Sequence, residues 1–354
     1  MAGRRRQAGG AVSSPLAELG WPDWVDPIAA RTLRDAARDG KIGHAYLISG
    51  PKGVGKAALA RAFAQSLSCT NSEEGDRSRP CSSCRACRNV ARGVHPDVER
   101  FDLETQATLA EKTASLTSLS IDTVRRLRAS AALFPLEAGR RIVLVDDAET
   151  MLEPAQQALL KTLEEPPPAV TILLLSDDAE VLLETVRSRC QEVRVRPVSE
   201  SAVERALLER GIDEAGASEI AALSRGAAAW AIAASSDARL VQSRKAERDA
   251  ALTWLQAGTY DRLVTAFKHG EQFGKRRGEV IGIVLAAVQM LREQMIRAAD
   301  AESSNAAAEV SALALSRAVA ASLRCLADLD ANVRPRLALE AMVVQWPMLD
   351  PSPV

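Results

Sequence analysis

The sequence predicts an α/β domain on a parallel sheet of P-loop type, followed by an all-α region. Three observations carry this. Short apolar runs alternate with helical patterns through the first half, a GxxxxGK segment joins one such run to a helix, and the pattern after Pro197 is helical alone. Strands are expected at His44–Ser49, Asp97–Phe101, Arg141–Asp146, Val170–Ser176 and Glu192–Arg196. Between them, Ala57–Ser68, Ile121–Ala132 and Pro154–Glu165 have helical spacing. Pro166, Pro167 and Pro168 end the last of these, because proline cannot continue a helix.

The organisation expected for the 354 residues is threefold. Residues 1–197 form the α/β domain, 198–236 a small helical module, and 237–354 a third, all-helical domain. The module has helical segments at Glu200–Arg210, Ala215–Leu223 and Ala227–Ala234. The third domain is expected to be interrupted at Ala257–Tyr260, at Gly270–Gly274 and around Ala301–Asn305. The first fifteen or so residues read as disordered.

Forty-five basic and 46 acidic residues give a formal net charge of -1, which excludes a global positive field. Any contact with nucleic acid must then come from a local patch. The basic start MAGRRRQAGG is followed by no apolar stretch of signal-peptide length, and the best apolar run, Val280–Leu291, is too short to span a bilayer. A cytoplasmic chain is expected.

Gly50-Pro51-Lys52-Gly53-Val54-Gly55-Lys56-Ala57 follows an expected strand and opens an expected helix. Gly50, Gly53 and Gly55 let backbone N–H groups converge on phosphate oxygens at a helix N-terminus, and Lys56 adds a point charge. Ala57, however, has no hydroxyl to coordinate Mg²⁺, which compromises turnover of ATP. The plain alternative is a glycine-rich turn that keeps the fold without holding nucleotide. Asp146 and Asp147 end an apolar strand, at the edge where ligands of open parallel sheets sit. Asp146 is the candidate metal-side acid and Asp147 stands where hydrolysing members of this class carry Glu; capping of the following helix is the alternative.

Cys69, Cys81, Cys84 and Cys87 have the spacing C-x11-C-x2-C-x2-C. Four thiolates suit a closed tetrahedral zinc site, with an iron–sulfur cluster as the rival reading and free thiols as the plain one. The expected role is structural, folding an insertion over 69–91.

HAYLISGPKGVGKAALARAFAQSLSC, the cysteine set, RRIVLVDDAETM, QQALLKTLEEPPPAV and LLETVRSRC occur here in the order found in bacterial DNA polymerase III clamp-loader AAA+ subunits. Over about Trp24 to Val198 the chain resembles that family, and LLKTLEEPP followed by SRC is the most diagnostic combination. Ser224–Ile232 resembles the lid helix of its delta-prime branch, and Asn332–Glu340 the end of its collar domain. The resemblance implies that Arg189 is an arginine finger offered to nucleotide on a neighbouring subunit, that Ser176 sits at the phosphate-sensor position, and that Ala229 replaces a sensing Arg. It also implies a ring shared with gamma or tau and delta subunits, acting on the sliding clamp and primed DNA. A gamma/tau-type motor ATPase is the alternative within the family. Arg125, Arg126 and Arg128 could face DNA phosphates; a solvated helix face is the plainer explanation.

Overall fold

The computed structural model describes residues 19–71, 79–109, 117–303, 310–331 and 333–349, so the segment expected to be disordered lies outside the described residues. The chain forms two units, Met1–Ser236 and Asp237–Val354.

In the first unit, α1 (Pro27–Arg38) precedes β1 (Ala45–Ser49), and α2 (Lys56–Ser68) follows it. Next come α3 (Arg85–Ala91), β2 (Val98–Phe101), α4 (Leu103–Leu109) and α5 (Ile121–Ala131). Then β3 (Arg141–Val145), α6 (Glu153–Glu164), β4 (Val170–Ser176), α7 (Glu184–Arg187) and β5 (Gln191–Arg194) complete the α/β part. The five strands are parallel in the order β2-β3-β4-β1-β5. All residues of β1, β3 and β4 are buried, as expected of strands covered by helices on both faces. Ser49 pairs with Ser176 and Val145 with Leu174, so the C-terminal ends of β1, β4 and β3 open side by side.

Local signals explain several element ends. Asp26 caps α1 by accepting the Ile28 N–H at 2.9 Å, and its other oxygen accepts the Arg196 N–H at 2.9 Å, tying the exit of β5 to the start of α1. The expected strand from Asp97 begins one residue later, because the buried Asp97 carboxylate accepts the N–H groups of Leu136, Glu137 and Ala138 at 2.6, 2.7 and 2.7 Å. Those bonds fix the turn before β3. Past Pro197 the chain continues as α8 (Glu200–Leu208), α9 (Glu214–Ser224) and α10 (Ala228–Ala234). Arg225 and Gly226, both with positive φ, make the turn between the last two.

The second unit consists of α11 (Ala238–Gln256), α12 (Thr259–Ser303), α13 (Ala312–Asp330) and α14 (Pro335–Val344). Trp254 and Trp346 meet edge to face at 5.1 Å in its core. Beside them the buried Arg262 guanidinium donates to the carbonyls of Trp346 and Pro347, each at 2.9 Å, and to that of Leu255. The interruption expected at Gly270–Gly274 falls two residues later: α12 is two helices joined across a kink at Arg276, with φ -126 and ψ 27. Gly270 itself serves close approach, since a Cβ there would lie 2.5 Å from the Arg336 Cα on α14. The interruption expected around Ala301–Asn305 runs into residues 304–309, outside the described residues, as does Asn332.

Gly270→Ala should therefore destabilise the second unit by about 1–3 kcal/mol, because the contact is with backbone and cannot swing away. Urea unfolding followed by tryptophan fluorescence measures it.

Candidate functional site

The phosphate loop leaves β1 at Gly50 and re-enters helix at Lys56. Gly55 precedes α2 with φ 113, and a Cβ there would lie 2.5 Å from Val25 and 2.9 Å from Trp24, so only glycine fits. The Gly53 carbonyl accepts the Trp230 N–H at 3.1 Å, which seats α10 on the loop. Lys56 does not point into open space. Its Nζ donates to the carbonyls of Gly50 at 2.6 Å and Pro51 at 3.3 Å, and forms an ion pair with Asp177 at 2.5 Å.

Acidic side chains gather beyond the ends of β3 and β4. Asp146 pairs with Arg100 of β2 at 2.8 Å, and Arg100 also pairs with Asp102 at 2.9 Å. Asp147 adopts left-handed backbone geometry, φ 54, and makes no side-chain cap bond to the 3₁₀ turn at Ala148–Thr150, contrary to a capping role. Burial, joined by the negative charges of Asp146, Asp102 and Asp177, pushes its carboxyl above the usual range. Glu149 is pushed up chiefly by burial, and its Oε2 accepts the Asp177 N–H at 3.1 Å. Ser176, fully buried, donates to the Asp178 carbonyl at 2.6 Å, and Ala229 is buried in α10. Ala57, Arg61, Arg92, Arg100 and Asp146 line a cavity of about 250 Å³ next to the loop. Asp177, Glu149 and Arg100 are the residues that sequence reasoning missed. The doubled acid Asp177-Asp178 directly after the strand was the available signal.

Arg189 follows the short α7 and is partly exposed, its side chain 35% accessible. Its guanidinium donates to the Thr185 carbonyl at 2.8 Å and pairs at 2.8 Å with Glu164, the first glutamate of LLKTLEEPP. With Glu164 49% accessible, such a pair is worth about 0–1 kcal/mol and yields readily to a stronger anion. The neighbouring Cys190 thiol is pushed up to about 12 by burial and is inert at neutral pH.

The four clustered thiols fit a metal. The sulfurs of Cys69, Cys81, Cys84 and Cys87 all lie within 4.8 Å of one another, and those of Cys81 and Cys87 are 4.0 Å apart. Tetrahedral zinc thiolates require about 3.8 Å between sulfurs. The N–H groups of Cys84 and Cys87 point at the sulfurs of Cys81 and Cys84, at 3.3 and 3.4 Å. Burial opposes ionisation of Cys84, but backbone N–H bonds from Cys87 and Thr70 outweigh it and lower the thiol to about 5. Cys87 is pushed up, by burial first and then by Cys84.

On α5, Arg125 pairs with Asp122 at 2.8 Å on an exposed face. Arg125, Arg128, Lys161 and Glu165 line a shallow groove of about 390 Å³ between α5 and α6.

A parallel sheet in this order, with a phosphate loop between its β1 strand and the following helix, defines a P-loop protein of AAA+ type. The sequence model of a family described as "DNA polymerase III, delta subunit" matches residues 25–199. The chain is 40% identical over 147 residues to DNA polymerase III subunit delta' of Pseudomonas aeruginosa, covering 42% of this chain and 41% of that one. It is 32% identical over 164 residues to subunit gamma of Buchnera aphidicola, covering 46% of this chain and 41% of that one. It thus spans less than half the length of either relative. A gamma subunit-related protein of Thermotoga maritima is similar with a TM-score of 0.37 and 16% identity, over 89% of this chain and 97% of the other. Over residues 25–199 the chain belongs to the DNA polymerase III clamp-loader family.

Proposed function

We propose that the chain is a delta-prime subunit, which joins gamma or tau motor subunits and a delta subunit in a hetero-pentameric ring that places the sliding clamp on primed DNA in the cytoplasm. The observation that carries this reading is a contrast within one chain. Arg189 stands partly exposed on a weak ion pair, while the chain's own pocket has Ala57 for a hydroxyl, Asp147 for Glu and Ala229 for Arg. A guanidinium is permanently charged, so Arg189 can stabilise charge on a phosphoryl group held by a neighbour. The chain's own ATPase activity is then weak or absent, with Gly50, Gly53, Gly55, Lys56, Asp146 and Ser176 keeping the form of a site. In this reading residues 198–236 are the lid and 237–354 the collar that holds the ring. The 40% identity to a delta' subunit supports it.

The four cysteines are inferred to hold a structural zinc ion. Sulfurs within 4.8 Å of one another enclose room for a single ion, whereas an iron–sulfur cluster spreads its cysteines over several metal atoms. Zinc supplies cross-linking here and no chemistry on a substrate.

A gamma/tau-type motor is the second reading, favoured by the 32% identity to a gamma subunit. It requires Mg²⁺-dependent ATP turnover by the isolated chain that Lys56→Ala abolishes.

Arg189→Ala should leave folding and ring assembly intact and lower DNA-stimulated hydrolysis at the adjoining site by about 10³-fold, read by single-turnover ATPase of the reconstituted loader. Unchanged turnover would remove the finger. Elemental analysis should find one zinc per wild-type chain and none after Cys84→Ser, with faster proteolysis of residues 69–91. Neither zinc nor iron in native protein would end the metal reading.

A further inference from the structure

A phosphate loop works by leaving its lysine in need of an anion. Lys56 has no such need. An ammonium carries three protons and no acceptor, and here it meets three acceptors, the Gly50 and Pro51 carbonyls and Asp177 Oδ1. The Lys56 side chain is only 9% accessible, so an incoming phosphate must displace one of the three. The two carbonyls belong to the loop itself and travel with it. Asp177 comes from outside the loop, directly after β4, and is the acceptor a phosphate would have to replace.

Asp177 is also held in place. Its N–H donates to Glu149 at 3.1 Å, and the buried Ser176 hydroxyl closes the turn by donating to the Asp178 carbonyl at 2.6 Å. Asp146 and Asp147 stand at the end of the adjacent β3, and the Arg100 guanidinium is engaged by Asp146 and Asp102. Burial first, and then the neighbouring carboxylates, push the Asp147 and Glu149 carboxyls up.

We propose that Asp177 is an internal counter-ion that occupies the place of a nucleotide phosphate on Lys56 and thereby determines that this loop excludes nucleoside di- and triphosphates. The inference rests on reading Gly50–Ala57 as a phosphate loop and explains its silence by a residue outside the loop. The missing Ala57 hydroxyl bears on Mg²⁺ and hydrolysis; Asp177 bears on binding itself.

Calorimetric titration of the isolated full-length chain with ADP and with pyrophosphate, without added Mg²⁺, tests it. Asp177→Asn should bind ADP at least tenfold more tightly than wild type, Asp177→Ser should do the same, and the double variant Lys56→Ala/Asp177→Asn should lose the gain. ADP should also raise the melting temperature of Asp177→Asn more than that of wild type, which separates binding from a folding defect. Wild type binding ADP as tightly as the single variants, or a gain that survives loss of Lys56, would overturn the proposal. The delta-prime reading is judged separately by the Arg189→Ala loader assay, so either can fail alone.

Discussion

Every residue of β1, β3 and β4 is buried, and a parallel sheet covered on both faces leaves almost nowhere for a charge except beyond the strand ends. The exception within these strands is Arg141, buried in β3, which is matched by Glu99 at 3.0 Å and by the Ser130 hydroxyl at 2.8 Å. All other ionised groups of the central strands appear just after them. Because Ser49 aligns with Ser176 and Val145 with Leu174, the residues that follow the three strands are delivered to one edge. Lys56, Asp146, Asp147 and Asp177 converge for that reason. The chemistry of the edge then depends on which charges neutralise one another and which remain for a ligand.

Sequence periodicity captures the strands and the α2, α5 and α6 helices because these are long enough for burial to imprint a pattern. It misses α7, whose four residues make barely one turn and so cannot repeat a pattern, and α3, whose seven residues RACRNVA are equally too few to repeat one. Pro27 at the start of α1, preceded by Asp26, was a readable start signal, but the helix lies ahead of the first strand and outside the alternation. Gly270 reads as a breaker in one dimension and is a contact surface in three. The cysteine cluster was legible because three of its four members fall within seven residues. The partner of Lys56 was not, since Asp177 is 121 residues away and no spacing rule links them.

The four-cysteine segment and the phosphate loop are mechanically joined through α2. Gln65 on that helix donates to the Cys87 carbonyl at 3.3 Å and accepts the Gly20 N–H at 3.0 Å, and the Cys87 thiol lies 3.9 Å from the Gln65 carbonyl. A short segment without a core of its own gains rigidity from such attachments and from cross-linking by an ion. In return, the C-terminal half of α2 is clamped, which steadies the helix whose first residue is Lys56.

The carbonyl cradle of Arg262 has a consequence for biosynthesis. A permanently charged guanidinium in an apolar interior is tolerable only with acceptors around it, and two of its three come from Trp346 and Pro347, more than eighty positions later. While the ribosome is still extending the polypeptide, that cation must stay hydrated, and the helices around it cannot settle. The second unit can therefore close around Arg262 only once Trp346 and Pro347 are in reach of it.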